Sequence, residues 1–145
     1  DMLRIDGYYY YREPDSNRIK LRYFFYKNGV SYYYSGSYYY DSFNELEKSI
    51  ENIKTSKTHK KYALGWGVFN VMDSTILIED YVGSSLNKKL TAISSGKILN
   101  DTTFTLKERY KLDQNGDKYN VYKLDVTCYF RQYSSKPDST NRYVK

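Results

Sequence analysis

The sequence is poor in the residues that carry most covalent and metal chemistry. It has one cysteine, Cys128, and one histidine, His59, among 145 residues. A single cysteine excludes an intrachain disulfide. One residue of each kind excludes a Cys/His zinc cluster, so no metal site and no cofactor are expected. A nucleophile needs a base beside it. His59 stands between Thr58 and Lys60 in a basic stretch, 54–61, with no triad spacing, and reads as an exposed loop histidine. Cys128 lies on an apolar strand face between Val126 and Phe130, as an inert core thiol would. No run of 18 apolar residues exists, so the sequence offers no membrane-spanning helix. It also offers no linker, no second domain and no repeat beyond runs of tyrosine. The chain reads as non-enzymatic.

What it has in abundance is tyrosine: 20 Tyr beside 6 Phe and 1 Trp. The mean hydropathy of −0.80 would suggest disorder if aromatics were scarce. Tyrosine accounts for much of that value, yet its ring buries well when the hydroxyl finds a partner. The excess has a compositional reading as well as a functional one. The net charge of +6 is modest and gives a weak attraction to anionic partners. Basic charge with aromatics is the pattern of single-strand nucleic-acid binders. No RNP, KH or zinc-knuckle pattern accompanies it, so a nucleic-acid partner is not expected.

Strand signals dominate the chain, over 3–12, 18–27, 30–40, 62–72, 76–81, 89–99, 102–112 and 119–132. Ile19, Leu21, Tyr23 and Phe25 alternate along one face. Phe104, Leu106, Tyr110 and Leu112 share another face, and Tyr122, Leu124, Val126, Cys128 and Phe130 a third. One apolar and one polar face per strand is the mark of an antiparallel sheet. Asn28-Gly29 and Asn115-Gly116 are type I′ hairpin signals. Met72-Asp73-Ser74, Gly83-Ser84-Ser85 and Asn100-Asp101 supply the other turns. Asp113, Asn115 and Asp117 superficially resemble a calcium loop, but the glycine falls at the fourth position and Leu124 at the twelfth, so a plain hairpin turn is expected. One helix is predicted over 42–54. Ser42 caps it, Glu45 completes a capping box, and Phe43, Leu46, Ile50 and Ile53 form its apolar face. The tail 134–145 is polar and contains Pro137, and is expected to fray.

The expected fold is therefore all-β: an antiparallel up-and-down barrel of about eight strands with one inserted α-helix, forming a single domain over 1–133. A resemblance supports it. Gly7 in an aromatic first strand is followed by Lys27-Asn28-Gly29-Val30, a helical insert, Gly65-Trp66-Gly67-Val68-Phe69 and Ile76-Leu77-Ile78-Glu79. Gly96-Lys97-Ile98 and Asn100-Asp101-Thr102-Thr103-Phe104-Thr105-Leu106 come next. Over roughly residues 3–133 this order resembles the lipocalin-like proteins found as bacterial cell-envelope lipoproteins. The Gly-x-Trp signature of secreted lipocalins is not near the first strand; Gly65-Trp66-Gly67 sits in mid-chain. The helix follows the third strand instead of lying near the C-terminus. The resemblance implies a calycin-type barrel, an envelope location and a lipid anchor upstream of Asp1, which would be the chain's only tie to a membrane. It implies no defined activity.

Glu108 breaks the pattern. It falls on the apolar face between Leu106 and Tyr110, where a carboxylate is costly unless paired or protonated. It reads either as a polar anchor inside a ligand cavity or as a buried ion pair, unless the strand bulges. Three functions follow. The first is a small apolar or amphipathic ligand held inside the barrel by Tyr23, Phe25, Tyr32, Tyr34, Trp66, Phe104, Glu108, Tyr110 and Tyr122. The same rings would otherwise simply fill a small barrel. The second is a surface that binds a glycan or protein partner through exposed tyrosines of 8–11 and 38–40. The third, least favoured, is an oligonucleotide-binding barrel.

Overall fold

The computed structural model describes residues 2–34, 36–85 and 88–144. Eight strands close into an antiparallel barrel in simple up-and-down order, with β1 (Gly7–Arg12) pairing both β2 (Ile19–Phe25) and β8 (Lys118–Gln132). Between them run β3 (Val30–Tyr33), β4 (Trp66–Met72), β5 (Thr75–Ser85), β6 (Lys88–Asn100) and β7 (Thr103–Leu112). The helix α1 (Phe43–Ser56) is inserted between β3 and β4, where the 3, 4, 3 spacing predicted it. The Ser42 hydroxyl accepts from the Glu45 amide at 3.3 Å, and Glu45 reaches back to the Asp41 amide at 3.1 Å. The capping box thus closes one residue earlier than the sequence suggests.

Several boundaries differ from expectation. The stretch 30–40 is strand only to Tyr33; Tyr40 rejoins the sheet through a single bridge to Ile19. Gly83-Ser84-Ser85 is not a turn but the end of β5. At Asn28-Gly29 and Asn115-Gly116 only the glycines have positive φ, 79° and 81°. Each closes a turn in which the glycine amide donates to the carbonyl three residues back, Tyr26 or Asp113. This is a three-residue loop with glycine in the left-handed position, not a type I′ turn. The Asp113 carboxylate is used within its own turn, accepting from the amides of Asn115 and Asp117 at 2.8 and 2.9 Å.

Two apolar clusters hold the molecule together. The inner one lies inside the barrel and draws on nearly every strand: Tyr9, Tyr23, Phe25, Ile76, Ile78, Phe104, Leu106 and Cys128, with Leu3 and Ile5 from the N-terminal segment. The outer one lies between the barrel wall and α1. It joins Tyr8, Leu21, Phe24, Tyr32 and Trp66 to Leu46 and Ile50. The barrel wall at β1–β4 is therefore apolar on both faces. This explains why those strands read as unbroken aromatic runs.

The tail has no regular element, yet it is fastened. Pro137 is buried and its carbonyl accepts from the Tyr26 hydroxyl at 2.8 Å. The Lys136 ammonium donates to the carbonyls of Ile5 and Phe25, and Lys60 pairs with Asp138 at 2.8 Å. The expected fraying is replaced by a strap over one end of the barrel.

Candidate functional site

Backbone bulges decide which side chains face inward. In β1–β2, Tyr9 pairs with Tyr23 but Tyr10 with Leu21, so β2 carries one extra residue at Arg22. A bulge puts two successive side chains on one face and exchanges the faces beyond it. Ile19 and Leu21 therefore join the outer cluster, not the inner one, and Arg22 turns inward beside Tyr23. In β6–β7, Gly96 pairs with Leu106 and Ser95 with Glu108, which leaves Lys107 as the extra residue. Beyond it Arg109 points inward and Glu108 outward. Glu108 accordingly meets Lys118 and Lys123 at 2.6 and 3.4 Å on the surface. These contacts hold its carboxyl below the usual range, Lys118 first. It is no anchor in a cavity.

The other candidate ligand residues separate into three places. Tyr23, Phe25 and Phe104 do face inward, but they pack on one another. Ring centres lie 5.5 Å apart for Tyr23–Phe25 and 5.8 Å for Phe25–Phe104, and Tyr9 and Phe69 close the group at 5.1 Å from Phe104 and 4.4 Å from Phe25. The rings fill this part of the barrel. Tyr110 lies under the Lys118 ammonium, 4.2 Å from its ring centre, on the face of Glu108. Tyr122 is 57% exposed, because the β7–β8 hairpin runs past the barrel wall. Tyr32, Tyr34 and Trp66 face outward, toward α1. The expected tyrosine platform does not form either: Tyr8 and Tyr9 are buried, Tyr10, Tyr11, Tyr39 and Tyr40 are half-buried, and of these two runs Tyr38 alone is well exposed.

Outward Tyr32 and Tyr34 instead wall a groove of about 380 Å³ between β3, α1 and the 3-10 turn Thr58–Lys60. Tyr62, Leu64 and Ile53 complete its apolar lining, and Ser49, Asn52 and Ser56 give it a polar edge along the helix. Trp66 lies beneath, its indole nitrogen donating to the His59 carbonyl at 2.7 Å, and its ring centre 4.7 Å from that of Tyr32. His59, expected to be an exposed loop residue, is only 7% exposed and sits in the wall of this groove. The indole hydrogen bond pins the turn that carries it. Neither ring nitrogen of His59 makes a well-formed hydrogen bond. Burial lowers its pKa, helped by Lys60, and the nearby Ile53 carbonyl opposes that shift without reversing it. A neutral imidazole offers one donor and one acceptor. Among the described residues, no nucleophile or carboxylate is hydrogen-bonded to it.

Sequence reasoning missed this groove because it placed Tyr32, Tyr34 and Trp66 inside and His59 in solvent. The signal was present in the order of the chain: an apolar helix face must cover something, and the strands flanking its insertion carry those rings. Among the described residues, no group of three His, Cys, Asp or Glu side chains gathers to hold a metal ion. Also among them, no helix is long and apolar enough to cross a membrane. The architecture is a closed eight-stranded antiparallel barrel with one inserted helix, consistent with a lipocalin-like fold. Comparison with protein-family models, with curated proteins and with solved structures finds no match to this chain.

Proposed function

We propose that this protein is a non-enzymatic binding module that holds a small amphipathic ligand, not within its barrel but in the groove between β3 and α1. The observation that carries this reading is His59, buried in an aromatic wall with neither ring nitrogen in a well-formed hydrogen bond. An unmade hydrogen bond of a buried polar group costs about 1–3 kcal/mol, and a ligand that supplies it recovers that amount. The tyrosine faces and Leu64 favour an apolar or ring-bearing body, and the polar groups fix its orientation. The envelope location implied by the lipocalin-like resemblance belongs to the same proposal and is tested by cell fractionation.

Native mass spectrometry of the protein purified gently from its source tests the ligand. The wild type is expected to carry a small molecule that denaturation releases. Asn52→Phe, which fills the groove from an exposed helix position, is expected to lose it while keeping its far-ultraviolet circular dichroism. A bare wild-type mass, or a ligand that Asn52→Phe retains in full, overturns the groove as its site. One observation favours a second reading. Leu112, Tyr119, Val121 and Tyr122 are all more than 40% exposed on the projecting β7–β8 hairpin, and an exposed apolar arm of that kind fits a macromolecular partner.

A further inference from the structure

The barrel interior carries more positive charge than its own residues neutralise. At the end opposite Lys136 and Pro137, Lys20, Arg22 and Arg109 all turn inward, the last two because of the bulges at Arg22 and Lys107. The carboxylate that faces them is Asp80, 1% exposed, and Arg109 takes both of its oxygens at 3.0 and 2.9 Å while also donating to the Ser94 hydroxyl at 2.6 Å. Among the described residues, Arg22 has no such partner. Its Nε is buried and makes no hydrogen bond. Its guanidinium carbon lies 5.0 Å from the Tyr33 ring centre, and that of Arg109 lies 5.9 Å from the same ring. Among the described residues, two guanidinium groups therefore share one tyrosine face region with one carboxylate, which Arg109 takes, and Lys20, its ammonium 5.4 Å from the Tyr39 ring centre, adds a third cation beside Arg22. Arg109 also lines a cleft of about 160 Å³ together with Val82, Ala92 and Lys111.

Arg22 is half-buried, its Nε is buried without a hydrogen bond and its guanidinium lies against the Tyr23 and Tyr33 rings, so a cation here gains from an anion that supplies the missing acceptor. The guanidinium fork matches two oxygens of one anion. We propose that this charged end of the barrel is a receptor for an oxyanion, a carboxylate or a phosphate, bound by Arg22 with support from Lys20 and Arg109. This site is separate from the groove beside α1 and stands or falls independently of it.

Titration of the whole chain with sodium phosphate, acetate and octanoate, each against sodium chloride at equal ionic strength, tests it. At least one oxyanion is expected to raise the melting midpoint above chloride, as any ligand of the native state does. Arg22→Met is expected to raise the dissociation constant for it about tenfold or more. The variant is expected to fold, since it replaces a half-buried side chain without an ion pair by an apolar one of similar length. Lys20→Met, at a half-exposed residue, is expected to weaken binding in the same direction and serves if Arg22→Met does not fold. A preference for octanoate over acetate assigns the site to the head group of an amphipath, and a response to phosphate alone assigns it to the free anion. Equal behaviour of oxyanions and chloride, or unchanged binding in both variants, overturns the proposal.

Discussion

The two ends of the barrel interior are built on opposite principles. At one end, Tyr9, Phe25, Phe104 and Phe130 interlock, Leu3 and Ile5 close over them, and the Lys136–Asp138 strap lies across the opening. At the other end, Arg22, Arg109, Lys20 and Asp80 stand among tyrosine rings, with Tyr39 of the stretch after β3 against Lys20 and Tyr40 bridged to Ile19. Both ends are made from the same kind of strand, with aromatic and cationic residues in close alternation. What separates them is a pair of single-residue bulges, at Arg22 and Lys107, which turn cations inward halfway along β2 and β7. The lesson is that a small barrel can be sealed and stabilised from one half alone, which leaves the other half free to carry charge.

The contrast predicts unequal responses to truncation. Phe104→Ala should be the most damaging change. Its ring is fully buried against Tyr9, Tyr23 and Phe25, and a filled aromatic core cannot collapse onto the gap. A loss of about 3–5 kcal/mol in denaturant unfolding is expected; a loss under about 1 kcal/mol would mean that this end is loosely packed. Arg109→Met should follow at about 3 kcal/mol, because it strands the buried Asp80 carboxylate. Burial already pushes the Asp80 carboxyl above its usual range, and Arg109 works against that shift. Asp80→Asn introduced with Arg109→Met should recover much of the loss. Failure of that rescue would show that Arg109 acts through packing, not charge.

Much of this architecture was legible in the residues. Turn glycines, alternation along β8 and the Ser42–Glu45 cap define the hairpins and the helix locally, and local chemistry suffices for them. Leu124, Val126, Cys128 and Phe130 share the inner face as their period of two requires. The bulges were not legible. An extra residue at Arg22 or Lys107 has no composition of its own, and it exchanges the faces of everything beyond it. That one property moved Ile19 and Leu21 outward, brought Arg22 and Arg109 inward, and released Glu108 to Lys118. Tyrosine deepened the ambiguity, since its ring suits a core and its hydroxyl suits a surface. The groove was hidden for another reason. His59 is buried by the helix and by Trp66, contacts made across the insert that no local pattern records.

The smallest effect expected concerns the strap that distinguishes the sealed end. Lys60 and Thr140 hold the Asp138 carboxyl at about 2. An aspartate depressed in the folded state stabilises it at any pH above the unfolded value, about 3.9, and that contribution fades as the pH falls toward 2. The Asp138 side chain is 63% exposed, so solvent screening limits the contribution to about 0.5 kcal/mol. Hydrogen exchange across 136–144 reads it directly. Wild type should be better protected there than Asp138→Asn at pH 6, and the two should converge as the pH approaches 2. Exchange around Arg22 and Arg109 should not distinguish the two proteins at either pH, because the Asp138 carboxylate bonds Lys60 and Thr140, not these arginines. Equal protection of the strap in both proteins at pH 6 would mean that Pro137 and Lys136 hold it unaided. Sealing of that end would then rest on burial and on the Lys136 contacts to Ile5 and Phe25, not on the ion pair.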